Sequence, residues 1–151
     1  MALEDIAWQH TAFDALSVHQ LYAILRLRTD VFVMEQNCAF QDMDGFDAQA
    51  VHVLGYRANQ LVAYARCFHK GVKFEEASIG RVITSLALRG QGEGPTLMLQ
   101  AISCIEQHWG VQPIRIGAQA RLEVFYGKLG FVKTGLPYME DGIAHIEMLR
   151  T

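Results

Sequence analysis

A chain of 151 residues, 51% hydrophobic and 19% charged, with 13 glycines and only 3 prolines, is long enough for one domain spanning 1–151 and too apolar to stay disordered. Its 16 acidic and 13 basic side chains leave a formal charge of -3, without the basic excess that a phosphate backbone attracts, so no nucleic-acid partner is expected. Three cysteines, Cys38, Cys67 and Cys104, stand in no CxxC spacing, which argues against a disulfide framework or a zinc site and for a reducing cytoplasm.

At the amino terminus Glu4 and Asp5 stand where a secretory leader would carry positive charge, and no apolar run approaches the roughly 20 residues that span a bilayer, so no membrane partner is expected. The first predicted element is a helix from Ser17, a good N-cap, through about Val33, with Val18, Leu21, Leu25 and Phe32 on one face. An irregular acidic stretch, Gln36 to Gln49, follows. Val51 to Arg57 and Leu61 to His69 alternate around the turn Ala58-Asn59-Gln60 and predict a hairpin, which Ser78 to Thr84 extends into a three-stranded meander.

The pattern changes at Arg89. Gly90, Gly92 and Gly94 lead into a helix that aligns Leu97, Met98, Ala101, Ile102, Ile105 and Trp109, with Pro95 tolerated in its first turn. Pro113 to Gly117 reads as a short strand, Arg121 to Leu129 as a helix stopped by Gly130, and Phe131 to Leu136 and Ile143 to Leu149 as closing strands. The order implies a mixed α/β domain, one sheet with helices packed on it. Exposed edge strands leave room for a homodimer.

Arg89-Gly90-Gln91-Gly92-Glu93-Gly94 joins a strand to a helix, where backbone N–H groups without intrahelical partners can converge on an anion and glycine lets a phosphate approach. A nucleotide P-loop would need Gly-Lys-Ser/Thr where Gly94-Pro95-Thr96 stands, and the Rossmann fingerprint needs glycine in place of Pro95. Both fail. The spacing Arg89-x-x-Gly92-x-Gly94 after a strand instead resembles the pyrophosphate-binding motif of the GNAT acyltransferases. The stretch from Gln119 through Phe125 and Tyr126 to Gly130-Phe131 is similar to that superfamily's later signature. Within it, Leu27-Arg28 through Cys38, Gln41-Asp42-x-Asp44-Gly45, Leu61 to Arg66 and Gly117 to Ala120 resemble the ElaA-type branch.

The resemblance covers nearly the whole chain. It implies the GNAT fold, a mostly antiparallel central sheet of six or seven strands with helices on both faces, and an N-acetyltransferase that carries an acetyl group from acetyl-CoA to a primary amine by direct attack. It implies that Arg89, Gly90, Gln91, Gly92, Glu93 and Gly94 bind the pyrophosphate of acetyl-CoA and that Val82, Ile83 and Thr84 pair with its pantetheine arm. Gln119 and Phe125 would border that arm, and Tyr126 would serve as general acid. Two departures stand out: the family's usual asparagine is Gln119 here, and its usual alanine three residues on is Leu122.

Taking the proton from the amine calls for a base, and Glu35, Asp42, Asp44, His52, His69 and His145 are candidates that no spacing separates. Glu35 is set first, since in the superfamily the end of the first helix flanks the acceptor cleft. Asp42-x-Asp44-Gly45 evokes a calcium loop but lacks the bidentate glutamate, so no metal is expected, and Asp42, Asp44 and Asp47 read as an anionic rim for a cationic amine. Two other readings stay open: an idle CoA-binding module, and an acyltransferase that uses a different acyl-CoA.

Overall fold

The structure, a computed structural model, describes residues 5–86 and 88–151. Glu4, half of the reading of the amino terminus, lies outside them. The chain opens with a strand, β1 (Ala7–Ala12), that the sequence did not announce, because Gln9, His10 and the flanking alanines carry little β propensity. It is held by antiparallel pairing with β2 (Val51–Arg57), Trp8 opposite Gly55 and His10 opposite Val53.

Helix α1 (Val18–Arg28) starts at a capping box: Gln20 N–H donates to Ser17 Oγ at 3.0 Å, and Ser17 N–H donates to Gln20 Oε1 at 2.9 Å. It does not run on regularly to Val33. From Thr29 to Glu35 the backbone widens into a π-helical segment, which re-aims Phe32 and Glu35 relative to the α1 stripe.

The meander forms as expected from β2, β3 (Gln60–Phe68) and β4 (Ala77–Thr84), all antiparallel. Alternation on β3 divides the sheet's two faces. Ala63, Ala65 and Cys67 join the main core, where α2 (Gly94–Trp109) lays Leu97, Met98, Ala101, Ile102 and Ile105 against the sheet. Tyr64 turns to the opposite face and packs with Ile24 of α1, Leu54 and Ile83. Each fully buried apolar side chain of α2 contributes about 1.5–3 kcal/mol.

Strand β5 (Ile114–Gln119) lies beside β4 in the sheet's only parallel pairing among the described residues. A 3₁₀ turn at Ala120–Leu122 and the short helix α3 (Glu123–Gly127) stand where one helix from Arg121 to Leu129 was expected. The expected strand Phe131 to Leu136 shrinks to β6 (Val132–Lys133): Gly135 and Pro137 break it, and Leu136 stays 90% exposed, so nothing buries the apolar pattern that suggested a strand. Two strands close the chain, β7 (Tyr138–Glu140), also unforeseen, and β8 (Ile143–Arg150). The sheet holds eight strands in the order β1-β2-β3-β4-β5-β8-β6, with β7 on β8.

Candidate active site

Strands β4 and β5 pair only at Ala77 with Ile114 and Ser78 with Arg115, then part. Beyond that point the facing edges of both strands are free for another extended group. A second irregularity sharpens the split. From Tyr64 to Arg66 on β3 the partner on β4 moves from Ile83 to Gly80, so β4 carries one extra residue, and Arg81 takes a positive φ of 50°. Neither the bulge nor the splay is visible in an alternation pattern. Together they open a cleft of about 890 Å³.

The cleft gathers most of the donor-side residues expected from the sequence. Val82, Ile83, Thr84, Arg89, Gly94, Gln119, Phe125 and Tyr126 all line it. Gly90, Gln91, Gly92 and Glu93, also expected at the donor site, join Arg89 to α2 but are not among the residues that line the cleft. Gly90 and Gly92 sit at φ +80° and +77°, where L side chains are strained, and a Cβ at either would meet nothing within 4 Å. Glu93 precedes α2 without making a side-chain cap, so the first-turn N–H groups of α2 are not satisfied by it. Gln91 accepts from Arg57 at 2.8 Å. The open loop and the uncapped first turn of α2 suit a pyrophosphate.

Tyr126 is buried and meets Phe125 and Phe131 edge to face, at ring separations of 4.9 and 6.0 Å. Burial, opposed by the charge of Arg121, pushes its hydroxyl up to about 12. Gln119 turns its side-chain oxygen to Arg121 Nε at 3.1 Å.

Glu35 does reach the cleft, but as the partner of Arg89. The Arg89 guanidinium donates to both carboxylate oxygens, the Nη2 bond measuring 2.8 Å, while its Nε donates to the Thr84 carbonyl at 3.1 Å. The hydrogen bond from Arg89 holds the Glu35 carboxyl below its usual range, against a smaller opposing effect of burial. A carboxylate so stabilised is a weak proton acceptor, which argues against the role the sequence suggested for it.

The acidic rim is corrected more firmly. Asp42 and Asp47 lie against Arg28, which is wholly buried, at 2.7 Å each; Asp47 and Asp44 bind Arg66, with Nη1 at 2.9 Å from both. Arg81 Nε donates to Asp42 at 2.8 Å and Lys73 to Asp44 at 3.2 Å. Burial opposes the charge on Asp44 and Asp47, yet the hydrogen bonds from Arg66, Arg28 and Lys73 outweigh it and depress both carboxyls. These aspartates are bound to cations of the chain and are not free to attract an amine. Sequence reading missed their partners because Arg28 and Arg66 lie 14 and 22 residues from Asp42 and Asp44, respectively. The available signal was an arginine in an otherwise apolar strand, Tyr64-Ala65-Arg66-Cys67-Phe68.

Of the histidines, His52 is sealed inside: its Nε2–H donates to the Asp47 carbonyl at 2.9 Å, and its Nδ1 accepts from the Tyr64 hydroxyl at 2.6 Å. His69 stacks on Trp109 at 5.2 Å, away from the cleft. His145, opposite Gln119 on β8, lines the cleft. Its Nδ1 lies 2.7 Å from the Ile143 carbonyl, which can only accept, so the neutral ring keeps its lone pair on Nε2, 3.7 Å from Glu140. Cys38 stands at the cleft wall with its thiol donating to the Asp141 carbonyl at 3.2 Å.

A sheet parted between two parallel strands, with a glycine loop leading into a helix and a buried tyrosine on the lining of the cleft, defines the class. The chain belongs to the GNAT acetyltransferase family: residues 26–151 match its Acetyltransferase (GNAT) domain. It is 47% identical over 147 residues to the protein ElaA of Escherichia coli K12, covering 96% of each chain. Against the crystal structure of Escherichia coli ElaA the TM-score is 0.90 at 46% identity, over 97% of this chain and 99% of that one. Against an acyl-CoA N-acyltransferase from Pseudomonas aeruginosa it is 0.93 at 40% identity, over 97% and 100%. The expected mixed α/β fold and the expected branch are both met, and the class is acyltransferase. Among the described residues no helix is long and apolar enough to cross a membrane.

Proposed function

We propose that this chain, acting as one domain in the cytoplasm, transfers an acetyl group from acetyl-CoA to a primary amine by direct attack in a ternary complex. The observation that carries the reading is the convergence on one cleft of a free β4 edge, an uncapped α2 first turn and the hydroxyl-bearing Tyr126. Arg89 to Gly94 hold the pyrophosphate through loop N–H groups and the positive end of α2. Val82, Ile83 and Thr84 pair with the pantetheine amides as an added strand would, with Gln119 and Phe125 along its flank. The three free cysteines accord with a reducing compartment.

A primary amine has a pKa of about 10.4 and is protonated at neutral pH, so it must lose a proton before it attacks. His145 takes this role in place of Glu35: Nε2 carries the lone pair that accepts the proton, with the Glu140 carboxylate 3.7 Å away. The amine nitrogen then bonds to the thioester carbon. A backbone N–H of the bulged segment near Val82 to Thr84 steadies the negative oxygen. The carbon–sulfur bond breaks, the nitrogen releases its second proton to solvent to give the neutral amide, and the thiolate takes the proton of Tyr126, which solvent replaces.

The test is release of CoA thiol from acetyl-CoA over a panel of amines. His145→Gln should lower kcat/KM for the amine by about a hundredfold near neutral pH and recover toward wild type at high pH, where the amine deprotonates unaided. A His145→Gln enzyme whose rate matches wild type at every pH contradicts the base assignment.

A further inference from the structure

Among the residues that line the cleft, two carry a buried polar atom with no hydrogen-bond partner, Arg66 Nε and Ser78 Oγ. The third such atom among the described residues, Ser85 Oγ, belongs to a residue that does not line it. Arg66 and Ser78 are neighbours in the sheet. The register sets Arg66 opposite Gly80 and Phe68 opposite Ser78, so both side chains stand on the face that carries Tyr64. A Cβ built at Gly80 would meet only Arg66 Nε, at 4.0 Å, so the missing side chain leaves open space beside that nitrogen. Asp44 and Asp47 occupy the two Nη groups of Arg66 and leave Nε as the donor turned toward Gly80. An unpaired N–H and an unpaired hydroxyl, both buried, are unfavourable until something that accepts hydrogen bonds arrives.

The charge around them indicates what arrives. Within the ion-pair cluster itself four cations, Arg28, Arg66, Arg81 and Lys73, share three carboxylates, Asp42, Asp44 and Asp47, an excess of one positive charge, while Glu140 and Asp141 line the cleft on the side of His145. Phe74 and Tyr138 close the opposite wall, and Gly117 is small where Tyr138 needs it, since a Cβ there would come within 2.9 Å of the Tyr138 hydroxyl.

We propose that Arg66 Nε and Ser78 Oγ receive a carboxylate carried by the acceptor, so that the substrate is a small amine that is also an acid, its carboxylate over Gly80 and its amine toward His145. This rests on the acyltransferase reading above and names the acceptor class for it. The acidic rim expected from the sequence would have selected the opposite, a purely cationic amine.

The experiment offers one carbon skeleton in three forms: phenylalanine, its amide and phenethylamine, and likewise lysine, its amide and cadaverine. Thiol release from acetyl-CoA is followed, and CoA affinity is measured by calorimetry. The free carboxylate of at least one series should be preferred by about tenfold or more in kcat/KM, equivalent to about 1.4 kcal/mol. Ser78→Ala, and separately Gly80→Val, which fills the open space, should cut that preference to within about threefold while CoA affinity stays unchanged. A decarboxylated amine used equally well or better overturns the proposal. So does a preference that survives in both variants, or a panel that is not acetylated at all by protein that binds CoA. Failure of the wild-type protein to bind CoA overturns the donor site as well, and only that result reaches the reading beneath.

Discussion

A phenol donates a proton only while it holds one, and burial keeps the Tyr126 proton in place until the pH approaches about 12. The sign follows directly: a group that acts as an acid loses its role as pH rises through its pKa, so Tyr126 imposes no falling limb on the rate across the neutral range. A pH–rate profile measured from pH 6 to 10 should therefore show no loss of activity assignable to this residue, and Tyr126→Phe should lower the profile by a similar factor throughout. Glu35→Gln tests the neighbouring revision. If Glu35 serves as the counter-ion of Arg89, the substitution changes the KM for acetyl-CoA by less than about tenfold and leaves the pH dependence of kcat as it was; loss of the rising limb would restore Glu35 as base. The sequence singled out Tyr126 and Arg89 because each sits in a spaced signature. It hid their surroundings: Arg89 and Glu35 are 54 residues apart, and no local pattern records that pairing.

At the scale of elements, the loop before α2 was the most readable part of the chain, since glycine, proline and an apolar stripe at helical spacing all agree. Its conformation supplies a prediction. Gly92 holds φ +77°, so Gly92→Val costs about 1–3 kcal/mol of local strain and should weaken CoA binding by about tenfold or more, measured by calorimetry. Native-like affinity in that variant would remove the loop from the donor site. The elements that escaped sequence reading share a physical reason. Strand β1 and strand β7 carry little alternation of their own and are held by their neighbours' backbones, Ala7–Ala12 by β2 and Tyr138–Glu140 by β8. The π-helical segment after Arg28 is a departure in hydrogen-bond spacing that hydrophobic periodicity, still in phase at Phe32, does not register.

Across the whole molecule, two buried arginines, Arg28 on α1 and Arg66 on β3, of which Arg66 lines the cleft, tie the segment Asp42 to Asp47 to α1 and to the sheet. Asp47→Ala strips Arg28, fully buried, of one carboxylate and frees a donor on Arg66; the expected loss is about 3–5 kcal/mol, read as a lowered urea midpoint. The network also fixes the response to acid. Burial, only partly offset by the bond to the Asp47 carbonyl, lowers the pKa of His52 below its ordinary value, so protonation disfavours the fold and stability begins to fall as pH drops below about 6.5. Asp44 and Asp47 are depressed, so their contribution is intact above the usual aspartate value of about 3.9 and is lost as pH falls through their lower folded values. Urea midpoints at pH 7.5, 5.5 and 3 should decline in two stages; a midpoint that rises between pH 7.5 and 5.5 would contradict the sealed His52.

The central claim, that the parted sheet holds a CoA thioester and that Tyr126 protonates its leaving thiolate, meets its most direct test in one paired measurement on Tyr126→Phe: steady-state acetyl transfer to an accepted amine, with CoA affinity by calorimetry. The account predicts that kcat falls by about a hundredfold or more while CoA affinity stays within about twofold of wild type. An unchanged kcat, at any CoA affinity, would contradict it.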